Sequence, residues 1–166
     1  MKKKLWLASW TGFFILAGCS SMKSSIEVDA PAGRVWDVLS DLGSFKDWNP
    51  FLVQAGGRLA KGQNLELQMK PVGGSPQRFS PKVLEVTEGR EITWQGTLFL
   101  PGLFDGTHHL RIEPLDDHRV LFTQTEDFAG IFVPFVDFNP YRKGWEKMDE
   151  ALKIRCEEKN SIGLTP

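Results

Sequence analysis

Cysteine, tyrosine and histidine are scarce in this chain, with 2, 1 and 3 copies in 166 residues. Two cysteines, Cys19 and Cys156, exclude a disulfide framework. The histidines are His108, His109 and His118. Neighbouring residues of a strand point to opposite faces, so His108 and His109 are not placed to share an ion, and no metal site is expected. There is no Gly-x-Ser-x-Gly elbow, phosphate loop or dinucleotide fingerprint, and no cofactor is expected. A basic stripe is also missing. With a net charge of −1, a nucleic-acid partner is not expected. No apolar run reaches the roughly 20 residues that a comfortable transmembrane helix requires.

The first residues carry an address. Lys2, Lys3 and Lys4 precede an apolar run from Leu5 to Ala17, which ends in Leu16-Ala17-Gly18-Cys19. Basic, apolar and small-residue regions in that order make a secretory signal. The last four residues resemble the lipobox of bacterial lipoproteins. The resemblance implies cleavage before Cys19, a lipidated Cys19 and a membrane anchor, because several acyl chains on one residue hold stably to a bilayer. Ser20 follows, where an aspartate would imply the inner membrane. The implied location is therefore the cell envelope, at the outer membrane and facing the periplasm.

The expected organisation is a signal peptide over 1–18, a lipidated cysteine and polar tether over 19–25, one domain over 26–160 and a frayed tail over 161–166. Removing the three lysines takes the net charge from −1 to about −4. The tether spans at most about 25 Å when extended, which keeps the domain close to the bilayer. Cys156 would have no disulfide partner and reads as a small buried apolar residue.

Hydrophobic periodicity supplies the elements. Ile26 and Val28 alternate with charges, as in a short strand. Pro31 to Ser40 reads as a helix with Val35, Trp36 and Leu39 inward, and Asp41 to Asp47 as a second short helix or turn. Strand candidates follow at Leu52–Ala55, Leu65–Met69, Arg78–Val86, Glu91–Phe99, Thr107–Glu113 and Val120–Phe128, separated by glycine-bearing or acidic turns. From Pro140 to Lys159, Tyr141, Trp145, Met148, Leu152 and Cys156 recur along one face of a long helix, with Asn139 as its expected N-cap. Gly144 sits awkwardly inside this helix and is expected to leave room beside Trp145. The order predicts an α+β domain, a curved antiparallel sheet of about 6–7 strands wrapped on one long C-terminal helix. An apolar cleft between sheet and helix is the natural place for a small ligand.

Particular residues then resemble a family. Ala30-Pro31 with Val35-Trp36-Asp37-Val38-Leu39, then Trp48-Asn49-Pro50-Phe51, is similar to the opening of the polyketide cyclase/dehydrase branch of the SRPBCC superfamily. Trp94-Gln95-Gly96, Gly106-Thr107-His108 and Gln124-Thr125-Glu126-Asp127-Phe128 agree with it. The resemblance covers roughly Ile26 to Lys159. It implies the START-like helix-grip fold with a ligand cavity under the last helix. It does not fix a function, since the superfamily hosts carriers and enzymes alike.

Period-two alternation places His108, Leu110 and Ile112 on the inner face of one strand and Phe122, Gln124, Glu126 and Phe128 on that of the next. His109 then points outward. The expected ligand-binding residues are Trp94, Phe99, Phe104, His108, Phe122, Gln124, Glu126, Phe128 and Trp145, and the expected partner is a hydrophobic or lipid-like small molecule. Three readings stay open: a binding domain, a cyclase or dehydratase with His108 and Glu126 as its acid/base pair, and a packed interaction module. Leu98–Phe104 and Phe128–Phe138 are unusually apolar for connecting segments, which suits either lids on the core or contact with lipid. Replacing Cys19 with Ser is expected to release the protein from membranes in a fractionation assay. Undiminished membrane retention would refute the anchor.

Overall fold

The computed structural model describes residues 18–98 and 100–158. The expected signal peptide up to residue 17, the tail and Phe99 lie outside the described residues, and Gly18 falls in the first strand. The chain runs β1 (Gly18–Val28), α1 (Ala32–Ser40), a 3-10 turn (Leu42–Ser44) and α2 (Phe45–Trp48). It continues through β2 (Leu52–Gly57), β3 (Leu65–Met69), β4 (Gln77–Phe79), β5 (Lys82–Thr87), β6 (Glu91–Leu98), β7 (Phe104–Pro114) and β8 (Val120–Gly130). A second 3-10 turn (Val133–Phe135) leads to α3 (Asn139–Glu157). This is the α+β architecture expected from the residue pattern and the helix-grip fold that the resemblance implies.

All strand pairs are antiparallel. The larger sheet has the order β1-β8-β7-β6-β5, and the smaller β2-β3-β4. A bridge between Asn64 and Lys82 and a bond from Leu65 N–H to the Pro81 carbonyl join their edges. The expected single strand Arg78–Val86 is two strands. Ser80-Pro81 divides them, because proline brings no N–H to a ladder.

β1 is longer than expected. Residues 19–25, read as a tether, pair with β8 from Cys19↔Ala129 to Ser25↔Thr123. Five of these seven residues are serine or lysine, so no apolar alternation announces a strand. Only Met22 among them is buried. An edge position beside a long strand overrides that weak local signal.

α1 buries Val35, Val38 and Leu39, and α3 buries Trp145, Met148, Leu152 and Cys156 in the same core. Tyr141 is only partly buried. The α3 N-cap is Phe138, one residue earlier than expected. Asp137 Oδ1 instead accepts bonds from Asn139 N–H and its side-chain amide, at 3.0 and 2.8 Å. The Trp48-Asn49-Pro50-Phe51 motif has a backbone role. Buried Asn49 turns its Oδ1 to the N–H groups of Phe51 and Leu52, at 3.0 and 2.8 Å, which carries the chain from α2 into β2.

Phe51 in turn explains Gly144. A side chain at 144 would overlap the Phe51 ring. The room expected beside Trp145 is filled by this ring. The glycine lets α3 approach it. Gly144→Leu is expected to lower folding stability by about 2 kcal/mol or more, measured by urea unfolding, since overpacking a filled interior forces neighbours off their positions.

Candidate functional site

Three strands and α3 bring polar groups together inside an aromatic layer. Register aligns Trp94 on β6, His108 on β7 and Glu126 on β8 in one row. The Trp94 and His108 rings stack with centroids 4.8 Å apart and planes 4° from parallel. Trp145 from α3 meets His108 edge-on at 4.7 Å and 85°. These rings fix the imidazole on two sides and leave it 5% exposed. Its Nδ1 lies 3.4 Å from Glu126 Oε2. Glu126 is tucked over Gly106, where a Cβ would come within 2.5 Å of its Oε1. The absent side chain at 106 is therefore what gives the carboxylate its place beside His108.

Two residues along β8, Gln124 is fully buried, and its amide donates to Asp149 Oδ1 at 2.5 Å. Asp149 stands one helical turn after Trp145 and is 3% exposed. Burial pushes its carboxyl up to about 6, against the opposing influence of the Gln124 hydrogen bond and a charge on His108. Asp149 was not singled out by the residue pattern. The signal was its spacing of four from Trp145, masked because the buried stripe of α3 was traced through apolar residues alone.

Two buried polar atoms of this group have no hydrogen-bond partner among the described residues: His108 Nε2 and Gln124 Oε1. Such atoms are uncommon in native interiors and mark places where a ligand or water completes the pairing. The site thus offers an imidazole nitrogen, an amide oxygen and two carboxyls within apolar walls. It suits a mostly apolar molecule with a hydroxyl or carbonyl group.

The other expected residues spread along the core. Phe104, Phe128 and Phe138 cluster, with Phe128 4.4 Å from Phe138 and 5.5 Å from Phe104. Phe122 is fully buried opposite Ile26 and Ile112, two positions along β8 from Gln124. His109 lies on the outer face, where Glu91 contacts it at 2.9 Å and Arg111 at 3.2 Å. Partial burial would raise the Glu91 carboxyl, but bonds with His109 and Thr93 and the Arg111 charge hold it below its ordinary value. A separate half-open cleft of about 840 Å³ lies against β2, β3 and β4, with Lys46, Glu66, Gln68 and Arg78 among its lining. It shares no residue with the His108 group. Cys156 is buried and unpaired with Cys19, and burial pushes its thiol up to about 12.

Comparison with known proteins agrees with this architecture. A family model described as "Polyketide cyclase / dehydrase and lipid transport" matches residues 20–155. No curated protein matches the sequence. Among solved structures, a START superfamily protein from Mycobacterium smegmatis is similar at 22% identity and a TM-score of 0.64, covering 84% of this chain and 98% of that one. The Zhui aromatase/cyclase from Streptomyces sp. R1128 is similar at 19% identity and a TM-score of 0.64, covering 86% and 96%. A norcoclaurine synthase mutant from Thalictrum flavum, solved with a transition-state analogue, is similar at 16% identity and a TM-score of 0.65, covering 87% and 98%. At these identities the likeness is one of fold.

The buried carboxyl makes a pH-dependent prediction. Asp149 ionises near 6 in the folded chain and near 3.8 as a free side chain. As pH rises, the unfolded chain loses this proton first, so the group lowers stability progressively between about pH 4 and 6, and fully above that. Asp149→Asn is therefore expected to be the more stable protein at about pH 8, by up to roughly 3 kcal/mol in urea unfolding. The gap should close as pH falls towards about 4.

Proposed function

The chain belongs to the polyketide cyclase / dehydrase and lipid transport family, and from that premise we propose that its domain binds a largely apolar small molecule, held at the cell envelope by lipidated Cys19. One observation carries the ligand reading. His108 Nε2 and Gln124 Oε1 are buried without partners, between Trp94, Trp145 and the Asp149 carboxyl. A ligand hydroxyl donates to an imidazole nitrogen or an amide oxygen, and a ligand carbonyl accepts from a protonated imidazole. Hydrogen bonds made in so apolar a setting orient a molecule whose remaining surface is buried by rings. The envelope location is supported by the basic, apolar and Gly-Cys order of residues 2–19.

A second reading keeps the same residues. The His108–Glu126 contact at 3.4 Å pairs a base with a carboxyl inside the fold, which suits proton transfer to a bound ketone. Two neighbours of like fold, the norcoclaurine synthase and the Zhui aromatase/cyclase, are enzymes by name.

Native mass spectrometry of the protein purified from its own host tests the first reading. The wild-type chain is expected to carry an extractable organic molecule, and His108→Phe to lose it while unfolding at a similar urea concentration. An empty wild-type protein that turns over a ketone panel, with the rate abolished in Glu126→Gln, would favour the enzyme instead.

A further inference from the structure

Four of the large apolar side chains left exposed by the fold gather at one end of it. Leu98, Leu100, Phe132 and Phe135 are 53%, 65%, 43% and 83% exposed. They belong to the β6–β7 turn and the segment from β8 to α3. Those two segments are bonded together. Ile131 N–H donates to the Gly102 carbonyl at 3.2 Å, and Phe132 N–H to that of Leu103 at 3.0 Å. Gly130 abuts the Leu103 carbonyl so closely that a side chain there would overlap it.

The chain enters the domain at the same place. Gly18 pairs with Gly130, and Cys19 with Ala129. Cys19 is exposed. The apolar run Leu5–Ala17 precedes this entry point. A lipid group on Cys19 would thus be joined to the sheet itself, with no slack before the first ladder pair. The loops beside it are then confined to the depth of the bilayer surface, where leucine and phenylalanine side chains gain by leaving water.

We propose that this end of the domain is a membrane-docking surface, in which Leu98, Leu100, Phe132 and Phe135 enter the bilayer that holds Cys19. The proposal deepens the anchored, ligand-binding reading above and rests on it. Phe104, Phe128 and Phe138 stand directly behind the surface. Through Phe128 they join this end of the fold to the strand that carries Glu126.

The test couples Cys19 to a maleimide-bearing lipid in phosphatidylethanolamine/phosphatidylglycerol vesicles, using residues 19–166, which hold all of the described fold except Gly18. Buried Cys156 does not compete for the maleimide. A lipid with a photoactivatable acyl chain then labels whatever enters the bilayer, and mass spectrometry maps the label. Peptides spanning 98–104 and 131–136 are expected to be labelled several-fold above the Asp116–Arg119 turn at the far end of the β7–β8 hairpin. The double change Phe132→Ser, Phe135→Ser should remove most of that label without moving the unfolding midpoint. Equal labelling of the two ends would overturn the proposal. Flotation of the natural lipoprotein on the same vesicles keeps the two ideas apart. A natural chain that floats while its coupled loops stay unlabelled refutes docking and keeps the anchor. Labelled loops with no flotation refute the anchor and keep the docking surface.

Discussion

The hydrogen bond between Gln124 and Asp149 is the constraint on which the interior depends. It ties the middle of α3 to the centre of β8. A carboxyl in an apolar layer is costly unless it is neutral or paired; here an amide donates to it, and burial raises its proton affinity so that it is neutral below about pH 6. The bond also sets how the helix is rotated. With Asp149 facing Gln124, Trp145 is turned onto His108 and Cys156 into the floor of the core. A helix held by apolar contacts alone can slide with little penalty. One with a single buried acceptor has a single good seat.

From that seat the site acquires its character. Trp94 and Trp145 hold the imidazole in place, and Gly106 leaves space for the Glu126 carboxylate. The polar atoms thus point into the interior without each satisfying the others. Pre-orientation of this kind reduces the ordering cost of ligand binding. The same arrangement suits a carrier and an acid/base catalyst, and family membership embraces both.

Much of this was legible from residue order, for reasons that differ by element. Period-two alternation in β7 and β8 puts His108 and Gln124 on the inner face and His109 on the outer, as the burial pattern of those strands has it, while half-buried Glu126 is placed by its contact with His108. Asp149 escaped notice because a charged residue on a helix is read as solvated until its partner across the fold is known. Gln124 is that partner, 25 positions away. β1 escaped because serines carry no apolar rhythm, and its pairing depends on β8 about a hundred residues later. Gly144 was placed on the right helix with the wrong neighbour, since nothing local points to Phe51.

The pairing of β1 with β8 also orders events in time. During synthesis the first strand emerges with no neighbour in the sheet, and its ladder waits until residues 120–130 have followed. Contacts this distant in sequence form late. Until then the backbone around Gly18 and Cys19 remains an open, unpaired peptide. Afterwards it is a sheet edge crossed by inter-strand bonds. An enzyme that must thread these residues through an extended binding groove therefore has its opportunity before the last strand arrives. Completion of the sheet closes that opportunity, so access to this stretch of backbone and folding of the domain share one clock.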